Sequence, residues 1–311
     1  MLLEYYLKEL GIDNKPEFLN KYLEAPSLVR LKKVGYFCGM DYASKDIYSF
    51  SEYISRYDHS LSVALLTYKL TKDKKATIAA LFHDIATPCF SHVIDYMNGD
   101  YEKQESTEVF TAEIISKDLY LQKCLSQDNI DMKDIINFKQ YTIVDNDRPK
   151  LCADRLDGII LTGIGWTKNI KKEDIKNILD NITIYQNEDD EEEIGFTNEK
   201  VAKMVLKESE EIDTYCHSNE DNYMMELLAR LTKTAIDFNY LQYKDLYNLN
   251  EDQLFHYLDN LTNIAIKTYL DIFKNVKRED IPIIEMSNIK AREINPLINN
   301  HRIKEDRVLH L

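Results

Sequence analysis

The sequence has 311 residues, with 39 basic against 54 acidic side chains (net charge −15), 44% hydrophobic residues and only Gly 8 and Pro 6. A chain this long buries a sizeable core unaided, and the scarcity of turn residues argues against sandwiches, barrels and glycine-rich nucleotide folds, leaving helices. The negative charge without a long basic run speaks against nucleic acid as a partner, and no apolar run nears the ~18 residues that a membrane span needs.

From Leu2 to about Lys33 apolar residues recur at helical intervals, and the first residues lack a secretory pattern, so a cytoplasmic protein is expected. Gly35 to Ser55 shows no clear period and reads as a loop feeding a helix from about Arg56. There His59, Val63, Leu66 and Leu70 share one face of a helical period, which puts His59 on the buried stripe. A second helix, about Lys74 to Ile85, gathers Ala76, Ala79, Ala80 and His83 on a small-residue face that lets a neighbour approach closely. Thr87-Pro88 ends it, because the residue before proline avoids the α region. Helical patterning follows from about Glu105 to Ser116 and from about Pro149 to Thr162, with the proline near the first turn. Between Ile182 and Phe196 the pattern becomes that of a β-hairpin with an acidic tip, Glu188 to Glu193, read as a solvated loop or else a cation site or partner tail. Helical periodicity resumes from Asn198 to about Asn275, and the extended Ile281-Pro282-Ile283-Ile284 precedes the tail. The expectation is an all-α fold with one small hairpin, arranged as a helical domain over 1–180 and a mostly helical extension over 181–311 packed on it.

A lone His-Asp dipeptide such as His83-Asp84 is a weak signal, because seven histidines among many aspartates produce such pairs by chance. It gains weight because His59 and Asp154 also sit on predicted helices, so separate helices can deliver ligands to one point. Two imidazoles and two carboxylates form a mixed nitrogen and oxygen set suited to a divalent transition metal with open positions for water. A cation would also balance carboxylates whose burial is otherwise costly. Cys38, Cys89, Cys124, Cys152 and Cys216 are scattered without a Cys-x-x-Cys pair and read as ordinary buried thiols. No P-loop, dinucleotide fingerprint or His-Glu-x-x-His helix occurs, which removes kinase, Rossmann and zincin readings.

The segments Arg56-Tyr57-Asp58-His59-Ser60-Leu61, His83-Asp84-Ile85-Ala86-Thr87-Pro88-Cys89-Phe90-Ser91-His92 and Ala153-Asp154-Arg155-Leu156-Asp157 together resemble the HD-domain metal-dependent phosphohydrolases. They are most similar to the deoxynucleoside triphosphate triphosphohydrolase branch. The resemblance is specific from about Leu28 through Gly158, and beyond it only the tail from Lys290-Ala291-Arg292 to Pro296 is similar. It implies an HD-domain helical bundle and one divalent ion (Mn, Fe, Co, Ni, Mg or Zn) held by His59, His83, Asp84 and Asp154, with Asp84 also among the catalytic groups. The implied substrate is small and phosphorylated, first a nucleotide of the deoxynucleoside triphosphate kind, second a nucleoside monophosphate or another phosphate ester. Assembly as a homo-oligomer is compatible with it.

The departures bear on the reaction. Where the triphosphohydrolases have His-Asp-x-Gly-His, Thr87 replaces the second histidine, and the downstream His-Glu pair gives way to a stretch in which Glu102 or Glu105 stands as substitute proton donor, unless both are solvated. His92 matches a family position and either holds substrate or supplies a proton, or caps local backbone. Arg56, on nearly the face of His59, either clamps a phosphate through two parallel hydrogen bonds or pairs with Asp58 or Asp84. Arg30 resembles another substrate-binding position. Asp157, one turn after Asp154, orients a ligand or a water, or is a plain surface carboxylate. The departures also motivate a rival reading, a catalytically reduced HD protein serving as a nucleotide- or metal-binding regulatory module.

Overall fold

In the computed structural model, which describes residues 1–102, 110–285 and 289–304, the lead-in breaks into α1 (Leu2–Glu9), α2 (Leu19–Tyr22) and α3 (Pro26–Arg30), joined by short turns. Next comes α4 (Arg56–Thr71), whose start is fixed by a reciprocal cap: the Asp58 N–H donates to Ser55 Oγ at 3.1 Å and the Ser55 N–H to the Asp58 carboxylate at 2.8 Å. Asp73 caps α5 (Lys74–Phe82) by accepting from the backbone of Lys75 and Ala76. The stripe expected on α4 is in fact burial nearly all round, from His59 to Thr67, because α5 and α10 (Ala153–Gly165) both lie against it.

Two boundaries shift from the sequence expectation. Helix α5 stops at Phe82, so His83 and Asp84 stand where the backbone turns away. The helix expected from Pro149 begins at Ala153, after an extended Cys152, which leaves the proline in the preceding loop. Of the helix expected over 105–116, the part from Thr111 is seen as α7 (Thr111–Lys117), preceded by α6 (Val93–Asn98). The helices α8 (Leu119–Gln127), α9 (Met132–Ile136) and α11 (Lys172–Asn181) were not expected. The C-terminal half supplies α12 (Glu199–Cys216), α13 (Asn219–Asp237), α14 (Asp245–Asn248), α15 (Glu251–Asn260) and α16 (Ile264–Asn275), as its periodicity indicates.

The hairpin is present as β1 (Ile182–Gln186) and β2 (Glu192–Phe196), antiparallel with Ile184 opposite Ile194. The tail extends it to four strands, β3 (Leu297–Ile298) pairing parallel to β2 and β4 (His301–Arg302) antiparallel to β3. The acidic run is solvent-exposed from Glu188 to Glu192, as expected of a loop, and is also pinned by cations, with Glu193 alone buried. Arg302 bonds Glu193, which is fully buried, at 2.6 Å and Glu188 at 2.7 Å, and Lys150 bridges Asp189 at 2.7 Å and Glu191 at 2.8 Å.

Two hydrophobic cores form. One joins α1, α4, α5, α10, α11, β2 and α12; the other joins α13, α15 and α16 to the segments around Met40 to Tyr48 and Cys89 to Tyr96. The boundary expected near 180 falls inside the first core, which includes Ile194, Phe196 and Val205. A cavity of about 680 Å³ draws its lining from both cores, with Phe37 from the first and Tyr48 and Met225 from the second. Among the described residues no helix is long and apolar enough to cross a membrane.

Candidate active site

Four side chains from three chain-distant segments meet beside this cavity, which His59, Asp84 and Asp154 line. His59, on the first turn of α4, places Nε2 3.0 Å from Asp154 Oδ1, and His83, just past α5, places Nε2 3.4 Å from the same oxygen. Asp84 lies at the rim of this group, Oδ2 3.8 Å from His59 Nε2 and Oδ1 3.8 Å from His83 Nε2. Ligand atoms of His59, His83 and Asp154 fall within 4.8 Å of one another, and the two spacings to Asp154 Oδ1, 3.0 and 3.4 Å, are ones that two bonds of about 2 Å to a single ion span.

Each imidazole has its other nitrogen occupied. His83 Nδ1 lies 2.7 Å from the Ala80 carbonyl, which can only accept, so the proton sits on Nδ1 and Nε2 offers its lone pair. That Nε2 is buried and has no hydrogen-bond partner among the described residues. His59 Nδ1 is 2.8 Å from Asp157 Oδ2, and the other Asp157 oxygen accepts from the Tyr6 hydroxyl at 2.7 Å. A carboxylate behind an imidazole fixes its tautomer and turns the free nitrogen outward, the usual support of a metal-bound histidine. The orphaned His83 nitrogen, the oriented His59 and two adjacent carboxylates thus fit a divalent cation. Asp157, fully buried, holds the His59 imidazole and is not a surface carboxylate.

The electrostatics match. Burial works against the charged imidazole of His59, yet the hydrogen bonds to Asp154 and Asp157 prevail and pull it up to about 10. His83 is likewise raised against its own burial by Asp84 and Asp154. Asp154 is held well below the carboxylate range by both imidazoles although burial opposes this. Positive charge is therefore favoured at this point.

Arg56 is buried, with Nη1 on Asp84 Oδ2 at 2.8 Å, Nε on Ser91 Oγ at 3.1 Å and its guanidinium 4.9 Å from the centre of the Tyr36 ring. It takes the ion-pair option with Asp84, since Asp58 is committed to the cap of α4. Arg30, expected to bind substrate, points elsewhere. Its guanidinium donates to the carbonyls of Thr87 at 2.6 Å and Leu249 at 3.4 Å and does not line the cavity, so it fastens the turn after Asp84. His92 lines the cavity with Nδ1 2.9 Å from Asp95, and burial lowers it, leaving a neutral ring whose Nε2 accepts. Glu102 is exposed and does not line the cavity, and Glu105 lies outside the described residues. Sequence reasoning missed Tyr36, whose ring lies 5.1 Å from that of His59, and the cations Arg148, Lys150 and Arg155 that line the cavity. It also missed the proximity of Asp145 and Cys152 to Asp154. Lys290 and Arg292 of the tail line the cavity too; the tail motif was the signal that pointed to them.

Residues 56–159 match the HD domain, a span that contains all four converging side chains. Two known proteins are similar. The uncharacterized protein YdhJ of Bacillus subtilis is 24% identical over 210 residues, 65% of this chain and 60% of that protein. The metal-dependent phosphohydrolase cns2 of Cordyceps militaris is 26% identical over 132 residues, 42% of this chain and 37% of that protein. The chain thus spans less than two thirds of the length of either relative. The matched span is helical, the small sheet lies outside it, and the His and Asp cluster lies within it.

Proposed function

We propose that the protein is a metal-dependent phosphohydrolase of the HD kind acting on a small phosphate ester, with a nucleotide as the first substrate class. The observation that carries the reading is the buried His83 Nε2 without a hydrogen-bond partner, aimed at the same oxygen of Asp154 as His59 Nε2. His59, His83, Asp154 and Asp84 would hold one divalent ion there, supplying Lewis acidity toward a phosphoryl oxygen and an activated water. Arg56 positions Asp84 and, with Arg148 and Arg155 along the cavity, favours the negative charge that builds on a phosphoryl group under attack. His92, neutral and tethered to Asp95, is placed to accept a proton. The preference for deoxynucleoside triphosphates over monophosphates rests on the motif resemblance, and the similarity to a metal-dependent phosphohydrolase supports the broader class.

The test is to reconstitute the purified protein with Mn, Mg, Co or Ni and offer deoxynucleoside triphosphates, nucleoside monophosphates and a generic phosphomonoester, following phosphate and triphosphate release. Turnover of a nucleotide that disappears in Asp154→Ala is the expected result. Silence across all metals and substrates, with metal demonstrably bound, would replace this reading with the regulatory module.

A further inference from the structure

Away from the His and Asp cluster the cavity wall is aromatic, and its rings follow one another in contact. The Tyr36 ring lies 5.1 Å from His59 and 5.4 Å from Phe37, Phe37 stacks on Phe50 at 4.2 Å and 3°, and Phe50 lies 5.5 Å from Tyr48. Trp166 closes over them, 6.3 Å from Phe37 and 5.8 Å from Tyr48. The series ends on a carboxylate: the Tyr48 hydroxyl donates to Asp221 Oδ1 at 2.6 Å. Asp221 comes from α13, is 9% exposed and lines the same cavity. Among the described residues nothing donates to its other oxygen. Nothing in the chemistry of the His and Asp cluster uses this end of the cavity.

Because Asp221 lines the cavity, the donor to that oxygen comes from water or from a ligand there, and a ligand that displaces the water must replace its hydrogen bond. Flat aromatic walls favour a flat ring, which buries its faces against them. An alkyl chain would fill the space but remove water from Asp221 without replacing its hydrogen bond. A small ammonium ion would suit the carboxylate, but the chamber already holds Arg292 close enough to Asp221 to oppose the rise that burial imposes on its carboxyl, and a cavity of about 680 Å³ exceeds what such an ion fills.

We propose that this chamber takes the organic body of the substrate as a planar heteroaromatic ring whose ring-edge N–H or amino group donates to Asp221, making Asp221 the residue that selects it and Tyr48 the residue that positions Asp221. The proposal rests on the phosphohydrolase reading for what lies at the other end of the cavity, but its readout does not depend on turnover. Burial raises the Asp221 carboxyl to about 6, so at neutral pH it is ionised and can only accept.

Trp166 is the single tryptophan of the chain, so its fluorescence reports on the chamber alone. The full-length protein, with and without added Mg, is titrated with adenosine, purine riboside (the same ring system without the amino group), n-octyl phosphate and choline phosphate. Adenosine, which carries no phosphate to hydrolyse, is expected to change Trp166 emission. Asp221→Asn is expected to weaken adenosine by ~10-fold or more, the scale of a hydrogen bond to a charged group, and to leave purine riboside nearly unchanged. Tyr48→Phe, which keeps the charge but frees the carboxylate, is expected to reduce the preference for adenosine over purine riboside. Tighter binding of octyl phosphate or choline phosphate than of adenosine would overturn the planar-ring assignment. Equal weakening of adenosine and purine riboside by Asp221→Asn, or an undiminished preference in Tyr48→Phe, would overturn the role of Asp221. Adenosine binding without any hydrolysis would leave the chamber assignment standing while the phosphohydrolase reading fails.

Discussion

Replacing Asp157 by Asn tests whether the cluster depends on the charge held behind its first imidazole. Both Asp157 oxygens are used, one by His59 Nδ1 at 2.8 Å and one by the Tyr6 hydroxyl at 2.7 Å, in a site with no exposure. An amide of the same shape offers one acceptor oxygen in place of two and no charge, so either His59 or Tyr6 faces an NH2 group. A hydrogen bond to a charged group contributes ~1.5–3 kcal/mol, and removing a carboxylate that orients a metal-bound histidine typically lowers metal affinity ~10–100-fold. Asp157→Asn should therefore weaken metal binding by that factor and lower the stability of the metal-free protein by about 2 kcal/mol. Tyr6→Phe removes only the second bond; it should cost stability by ~1 kcal/mol while leaving metal affinity within about threefold. The assay pairs competition against a chromophoric chelator with urea unfolding of the metal-free protein. Loss of stability in Asp157→Asn without loss of metal affinity would refute the reasoning, reducing Asp157 to a buried polar residue of the core.

Three further outcomes follow from other parts of the molecule. Glu251 is fully buried, accepting from the backbone of Gly35 and Phe90 at 3.0 Å each, and burial raises its carboxyl to about 8. The folded state thus keeps a proton that the unfolded chain releases above its ordinary pKa of about 4.5, so stability from this group is full below that pH and is lost as pH rises through about 8. The melting temperature of Glu251→Gln should fall less than that of the wild type between about pH 5 and 8; an equal fall would contradict the assignment. Arg302→Ala leaves the buried Glu193 without its cation, and breaking such a pair should lower stability in urea unfolding by about 3 kcal/mol, whereas no measurable change would show that the sheet and not this ion pair holds the tail. Arg30→Gln should lower stability by ~1–3 kcal/mol, since carbonyls after Asp84 lose their donor, with KM for any substrate unchanged; a raised KM at full stability would return Arg30 to the substrate site.

The sequence carried the helical class because the two periods, one for helices and one for the hairpin, are local properties of the chain. It also carried the cluster: His59, His83, Asp84 and Asp154 sit in short segments whose residue order resembles that of a family, and a resemblance holds without any knowledge of packing. What lies between such segments was harder. Helices α8, α9 and α11 are short or surface-lying, and Pro149 looked like a helix start although the helix begins only after an extended Cys152. Arg30 has the right residue type in a similar position, but its direction depends on which carbonyls the turn after Asp84 leaves without donors. The run Glu188 to Glu192 is solvent-facing as its composition indicates, but the burial of Glu193 and the pairing with Lys150 and Arg302 had no local signal because those partners are far away in sequence. Asp221 and the rings from Tyr36 to Tyr48 carry no local signature at all, since aromatic residues on such segments are ordinarily core.

The most direct measurement of the central claim is metal stoichiometry by elemental analysis of the wild type and His83→Ala after identical reconstitution and desalting. Each imidazole is oriented by an independent partner, Ala80 for His83 and Asp157 for His59, so the fold does not need the ion and the variant should remain folded. The account predicts close to one divalent ion per wild-type chain and a near-complete loss in His83→Ala with an unchanged circular dichroism spectrum. A wild type that retains no metal, or a variant that retains as much as the wild type, would contradict it.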